Sequence, residues 1–188
     1  MNRHPISNRK GFTLAELLIV VAIIAVLVAI AIPIFRVNLE KSREAHDIYT
    51  MRQAASAAIE LYYAGVHDET SASKAGMKWW KSSIPANTNA AGAYDPSTGK
   101  FKKTKEEVTA YGKGTTINGG TTYVMGNPNG AYLAGENYTN AVVMVSIYPN
   151  ASPSYAMVYW KNNRNGNDYV GKDDGKDRPK YSIKINLE

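Results

Sequence analysis

The chain has no cysteine, so no disulfide closes a loop and no thiolate can hold a metal. Its three histidines, His4, His46 and His67, never fall at ligand spacing on one helix face, and no H-E-x-x-H pattern exists. Gly-Lys occurs at Gly99, Gly112, Gly171 and Gly175, but Ser or Thr never follows, so there is no phosphate-binding loop of the common kind. No internal repeat is visible. These absences argue against an enzyme built on a familiar motif. Two narrower absences point to a different class. No charged or polar side chain lies between Leu17 and Phe35, and no glycine lies between Phe12 and Ile32.

The uncharged run is about 19 residues, close to the roughly 20 a helix needs to cross the hydrocarbon core of a bilayer. It is apolar on every side, so it needs lipid or protein all round. One carboxylate, Glu16, stands at its start. Such a group is costly in lipid and calls for a cationic partner. Arg3, Arg9 and Lys10 precede the run, and Arg36, Lys41 and Arg43 follow it, so basic residues alone do not orient the span.

The stretch Lys10-Gly11-Phe12-Thr13-Leu14-Ala15-Glu16 resembles the prepilin signature of type IV pilins and of the pseudopilins of type II secretion systems. The resemblance covers roughly residues 8 to 60. It implies a leader, 1–11, that stays in the cytoplasm and is removed by a prepilin peptidase cutting after Gly11. The same enzyme N-methylates Phe12. Glu16 and Pro33 then occupy the family's conserved acid and proline positions. In an assembled filament, the resemblance implies, Glu16 of one subunit faces the new Phe12 amine of a neighbour. That amine has an ordinary pKa near 8 and is mostly cationic. The bland alternative for Glu16 is an acid favoured by the helix dipole. A rival reading takes Leu17 to Val28 as the core of an ordinary secretory signal cut after Ala31, so that the mature chain starts at Ile32. No polar segment separates the run from that cut, and Pro33 follows at once.

The resemblance sets the domain plan: leader 1–11, transmembrane and filament-core helix 12–35, amphipathic half of the same helix 36–65, and a globular head 66–188. Pro33 predicts a kink or loosened turn. Ala25 stands where the family often has a loosening glycine, so any loosening rests on Pro33. Beyond it, Ile48, Met51, Ala55, Ile59 and Tyr62 form one stripe. Arg36 with Glu40, and Arg43 with Asp47, are spaced to pair. Gly65 is the predicted stop. A helix over 13–64 would be about 78 Å long at 1.5 Å per residue. The Trp79-Trp80 pair reads as packing against this spine, with sugar recognition as the alternative. Residues 82–100 read as loop. Thr104-Lys105-Glu106-Glu107 has the form of a capping box opening a helix over 105–111. Asn118-Gly119-Gly120 predicts a hairpin between 115–117 and 121–125, and 141–148 with 154–160 predict a second. Residues 181–187 alternate as a last strand. The fold class is α+β and pilin-like: one long N-terminal helix packed against a C-terminal antiparallel sheet. The missing disulfide separates the chain from many Gram-negative pilins.

Net charge is +6, but with Arg3, Arg9 and Lys10 removed the 22 basic side chains fall to 19 against 16 acidic, about +3. That is too weak to argue for nucleic acid by itself. Lys100 to Lys105 is a basic cluster with one aromatic. Resemblance to DNA-uptake pili raises DNA contact, but Glu106 and Glu107 offset it, and solvated charge is the first reading. Asp168, Asp173, Asp174 and Asp177 are candidate ligands for calcium, which resembling pseudopilins hold in a C-terminal loop. The alternative is a solvated turn, and the spacing fits no EF-hand. Asn137 and Asn150 open glycosylation triplets. The expectation is therefore a structural subunit and not an enzyme, with no cofactor unless calcium. It would be anchored once in the inner membrane with its head outside, then drawn into an extracellular or periplasmic filament. Its partners are copies of itself, membrane lipid, the prepilin peptidase, an assembly ATPase and inner-membrane platform proteins. A pilus, a secretion pseudopilus and a competence pilus stay open. A membrane-anchored adhesin or binding ectodomain that does not polymerise is the second class.

Overall fold

The computed structural model describes residues 11–117, 130–163, 169–171 and 179–188. Helix α1 runs over Leu14–Tyr63 and continues through Pro33 as α-helix. The chain divides into two units, Met1–Arg36 and Val37–Glu188. In the first unit every described residue is exposed, including Phe12 at 91% and Leu17 at 63%.

The second unit is an α+β head. Its part of α1 packs against a six-stranded antiparallel sheet of β1 (Lys78–Trp80), β2 (Asn89–Asp95), β3 (Lys100–Lys102), β4 (Ala141–Tyr148), β5 (Tyr155–Asn162) and β6 (Ile183–Asn186). The strand order is β1-β2-β4-β5-β6. β1 and β3 both pair with β2, taking Asn89 to Ala91 and Ala93 to Asp95 respectively. The β4–β5 hairpin pairs in full from Ala141↔Asn162 to Tyr148↔Tyr155, as the two β-rich runs either side of Pro149 to Pro153 predict. Short α2 (Glu69–Lys74) begins in a capping box set by Asp68 and Ser71.

Alternation along the strands decides which residues meet α1. Ala90 and Tyr94 of β2, Val143, Val145 and Ile147 of β4, Val158 and Trp160 of β5 and Ile183 of β6 join Met51, Ala54, Ala58 and Tyr62 in the main core. The small residues Ala54, Ala55 and Ala58 allow close approach. α1 ends in a Schellman motif: Gly65 has φ +92°, Val66 N–H donates to the Leu61 carbonyl at 3.1 Å, and Gly65 N–H to that of Tyr62 at 3.0 Å.

Several expectations are corrected. Residues 82–100 are not simply loop, since they contain a 3₁₀ turn at Pro85–Asn87 and central strand β2. β2 is rich in Ala and Gly because both its faces are covered. A Cβ on Gly92 would lie 3.1 Å from the Lys102 carbonyl oxygen and 3.2 Å from Met77. The predicted helix over 105–111 is one 3₁₀ turn, Lys105–Glu107, although its capping box forms. Beyond it the chain runs extended over the outer sheet face, where Val108 packs with Val142, Met144 and Tyr159. Thr115 to Ile117 is not a strand, and the rest of that predicted hairpin, 118–125, lies outside the described residues. The last strand is shorter than its pattern, and Ser182 is buried beside Tyr181 and Ile183. Trp79 packs on the core as expected, but Trp80 is 52% exposed on the opposite face.

The buried stripe of α1 also differs. It reads Glu40, Glu44, Asp47, Met51, Ala54, Ala58, Tyr62, so its first three positions are acids. Arg43 turns back to Glu40, at 3.3 Å, and not on to Asp47. Tyr111 and Gly112 N–H donate to the Ala141 carbonyl at 3.2 Å, but the amides of the next three residues, Lys113, Gly114 and Thr115, turn to the carboxylates. Asp47 accepts from Lys113 N–H at 3.0 Å, Gly114 N–H at 2.7 Å and the Tyr132 hydroxyl at 3.2 Å. Glu40 accepts from Thr115 N–H. Buried amides need such acceptors, and fully buried carboxylates need such donors.

Candidate functional site

Gly11 and Phe12 lie in irregular chain just ahead of α1, with nothing among the described residues within 4 Å of the position of a Gly11 Cβ. Thr13 is the N-cap of α1 and Glu16 its third residue. Glu16 N–H donates to Thr13 Oγ1 at 3.2 Å, while Thr13 N–H and Oγ1 both donate to Glu16 Oε2 at 2.8 Å. This is a reciprocal capping box, which satisfies two amides that a helix start otherwise leaves unpaired. The T-x-x-E spacing that signals it is present at 13–16. Sequence reasoning noted the acid and missed Thr13.

Along the following turns the side chains stay exposed: Ile19 at 58%, Ile23 at 56%, Leu27 at 62%, Ile30 at 60% and Phe35 at 67%. The helix is long and apolar enough to cross a membrane, and its most apolar stretch has no residue buried. At about 25 cal/mol per Å² of apolar surface, leaving such a rod in water would be strongly unfavourable.

Residues 6–32 match the prokaryotic N-terminal methylation motif. This is the signal motif of type IV pilins and pseudopilins. The match spans Gly11, Phe12 and Glu16 and ends one residue before Pro33. Comparison with curated proteins and with solved structures finds no match. The motif and the exposed apolar helix support a membrane-anchored, pilin-like precursor, and the head supplies the α+β architecture expected beside it. Such a motif in general implies processing by a prepilin peptidase and self-assembly.

The calcium candidates Asp168, Asp173, Asp174 and Asp177 lie outside the described residues. Among the described residues no group of three His, Asp or Glu side chains could hold a metal ion. The buried acids of the head serve a different end. Asp47 and Glu40 clamp the segment 113–115 to the helix. Burial pushes the Asp47 carboxyl up, while its backbone and tyrosine donors pull it down. Glu44 is 3% exposed, and among the described residues the Gly135 amide approaches its carboxylate without completing a hydrogen bond of ordinary geometry. Its carboxyl is held above the ordinary range first by burial and then by the charge of Glu40, with partial relief from the Gly135 amide.

Proposed function

We propose that the chain is a structural subunit, a pilin or pseudopilin, of a type IV pilus-like filament, and not an enzyme. The prepilin peptidase cuts after Gly11 and methylates the new amine at Phe12. The exposed apolar helix then exchanges lipid for the helices of sister subunits, drawn by an assembly ATPase and platform proteins. The observation that carries this reading is register: the methylation motif places Glu16 at the mouth of an apolar helix with no cover within its own unit. Both Thr13 donors engage Oε2, which leaves Oε1 open to a cation from another chain. A subunit placed one step out of register would leave that carboxylate unpaired in low dielectric, so the pair acts mainly on position.

Glu16→Ala tests the reading. The variant precursor should accumulate in the membrane at wild-type level and be cut after Gly11, while surface or periplasmic filaments disappear. Filaments of normal abundance from Glu16→Ala would overturn the assembly role. Cell-surface activity that survives without any filament would favour an anchored ectodomain that works alone.

A further inference from the structure

Two features singled out in the sequence, the tryptophan pair and the basic cluster 100–105, meet in one place that neither indicated alone. On the sheet face turned away from α1, a groove of about 440 Å³ is lined by Lys78 and Trp80 of β1, by Lys103 to Glu106, and by Lys161 and Tyr148 among the outer residues of β5 and β4. Among the described residues its charged lining is four lysines, Lys78, Lys103, Lys105 and Lys161, against one acid, Glu106. The groove's volume lies within the range of small-ligand sites, and far above what a lone water or oxyanion needs.

Lys78 and Lys103 are positioned by neutral groups. Lys78 Nζ sits 4.0 Å from the centre of the Trp80 ring, Lys161 Nζ 4.9 Å from that of Tyr169, and Lys103 Nζ donates to Ser73 Oγ at 2.9 Å. Lys105 is 8% exposed and donates to the Asn162 carbonyl at 2.6 Å, with Glu106 at 3.8 Å. Lys81, just outside the groove, shows the contrast, being paired with Glu69 at 2.8 Å. A cation held by a ring or a hydroxyl keeps its charge available to an anion.

We infer that this groove binds an acidic sugar unit, a uronate or sulfated residue of a glycan. Lys78 and Lys103 take the anionic group. The outward part of Trp80 flanks the sugar ring, and Thr104 and Asn89 offer neutral hydrogen-bonding groups. A nucleic-acid strand fits less well, because it needs a row of open aromatic faces for successive bases. Here Tyr148 stacks on Tyr155 at 4.5 Å and Lys161 sits over Tyr169, which leaves Trp80 without a second open ring beside it for a row of bases. The inference stands whether or not the chain polymerises.

The test is a titration of the full-length protein in a neutral detergent, followed by tryptophan fluorescence and by calorimetry. The probes are a heparin disaccharide, lactose, sodium sulfate and an oligothymidylate. The heparin disaccharide should bind saturably, lactose should not, and raising salt should weaken the binding. Lys78→Gln with Lys103→Gln should weaken it about tenfold or more, through loss of two charge-assisted contacts. Trp80→Ala should weaken it too, while Lys41→Gln on the exposed helix face should change nothing. Circular dichroism confirms that each variant is folded. The inference fails if no saturable binding is seen, if the lysine variants bind as the wild type does, if sulfate alone binds as tightly, or if the oligothymidylate outcompetes the disaccharide.

Discussion

Glu44→Gln should make the protein more stable, although it removes a charge from a helix. The wild-type carboxylate is buried to 3% exposure, makes no hydrogen bond of ordinary geometry among the described residues, and is flanked one turn away on either side by Glu40 and Asp47. An ionised group in that position loses its hydration and gains only the Gly135 amide and the distant charge of Lys41. A glutamine of the same shape carries no charge to desolvate, and its amide can donate toward the neighbouring carboxylates. Removing an uncompensated buried charge of this kind is worth about 1–3 kcal/mol. The gain must depend on pH with a definite sign. In the folded state Glu44 holds its proton above the ordinary value of 4.5, so the folded form binds more protons than the unfolded one between 4.5 and its raised value. Wild-type stability therefore falls as pH rises through that window. Below 4.5 the protonated glutamic acid resembles glutamine and the two proteins converge; above the window the difference reaches its full size. Urea unfolding of the full-length chain in detergent, followed by tryptophan fluorescence, reads this directly, because all three tryptophans lie in the head. A variant less stable than wild type at pH 7.5, or an advantage that grows on acidification, would refute the reasoning.

Other outcomes follow from the same contacts. Asp47→Ala should cost about 2–4 kcal/mol, since the Lys113 and Gly114 amides and the Tyr132 hydroxyl lose a charged acceptor together; the same unfolding assay measures it. Gly114→Ala should be destabilising as well, because the added carbon would lie 2.0 Å from the Tyr132 hydroxyl and displace it from Asp47. The double variant should then cost less than the sum of the singles, a coupling that separate sites would not show. Tyr111→Phe should cost about 1–3 kcal/mol, because the Tyr111 hydroxyl donates to the Tyr94 carbonyl at 2.9 Å and accepts from Val143 N–H at 2.8 Å, bridging β2 and β4. Hydrogen exchange at the Val143 amide should rise in that variant and not in wild type.

The parts of this fold that are written locally were legible in the sequence. Leu14–Tyr63 follows from an apolar run and a stripe, Gly65 ends it with a positive φ, and the β4–β5 hairpin follows from two β-rich runs either side of Pro149 to Pro153. The parts decided by distant neighbours were not. Apart from Tyr94, β2 is built of small and polar residues because both its faces are covered, so it has the composition of a loop. Glu40, Glu44 and Asp47 look like a wet helix face until residues 113–115 are seen to lie across them. The acid's sequence position does not reveal that the loop amides have no strand to pair with. For the methylation motif the reverse holds, since a signature of seven contiguous residues, Lys10 to Glu16, needs no tertiary structure to be read. The groove on the outer face was half legible, as two unrelated candidates whose meeting depends on the register of β1 against β2.

The most direct measurement is the mass and sequence of the N-terminal peptide of the mature protein purified from its own cells. The account predicts a chain that begins at Phe12 and carries one methyl group on its α-nitrogen. A mature chain that begins at Ile32, or one that retains Met1 to Gly11 in assembled material, would contradict it.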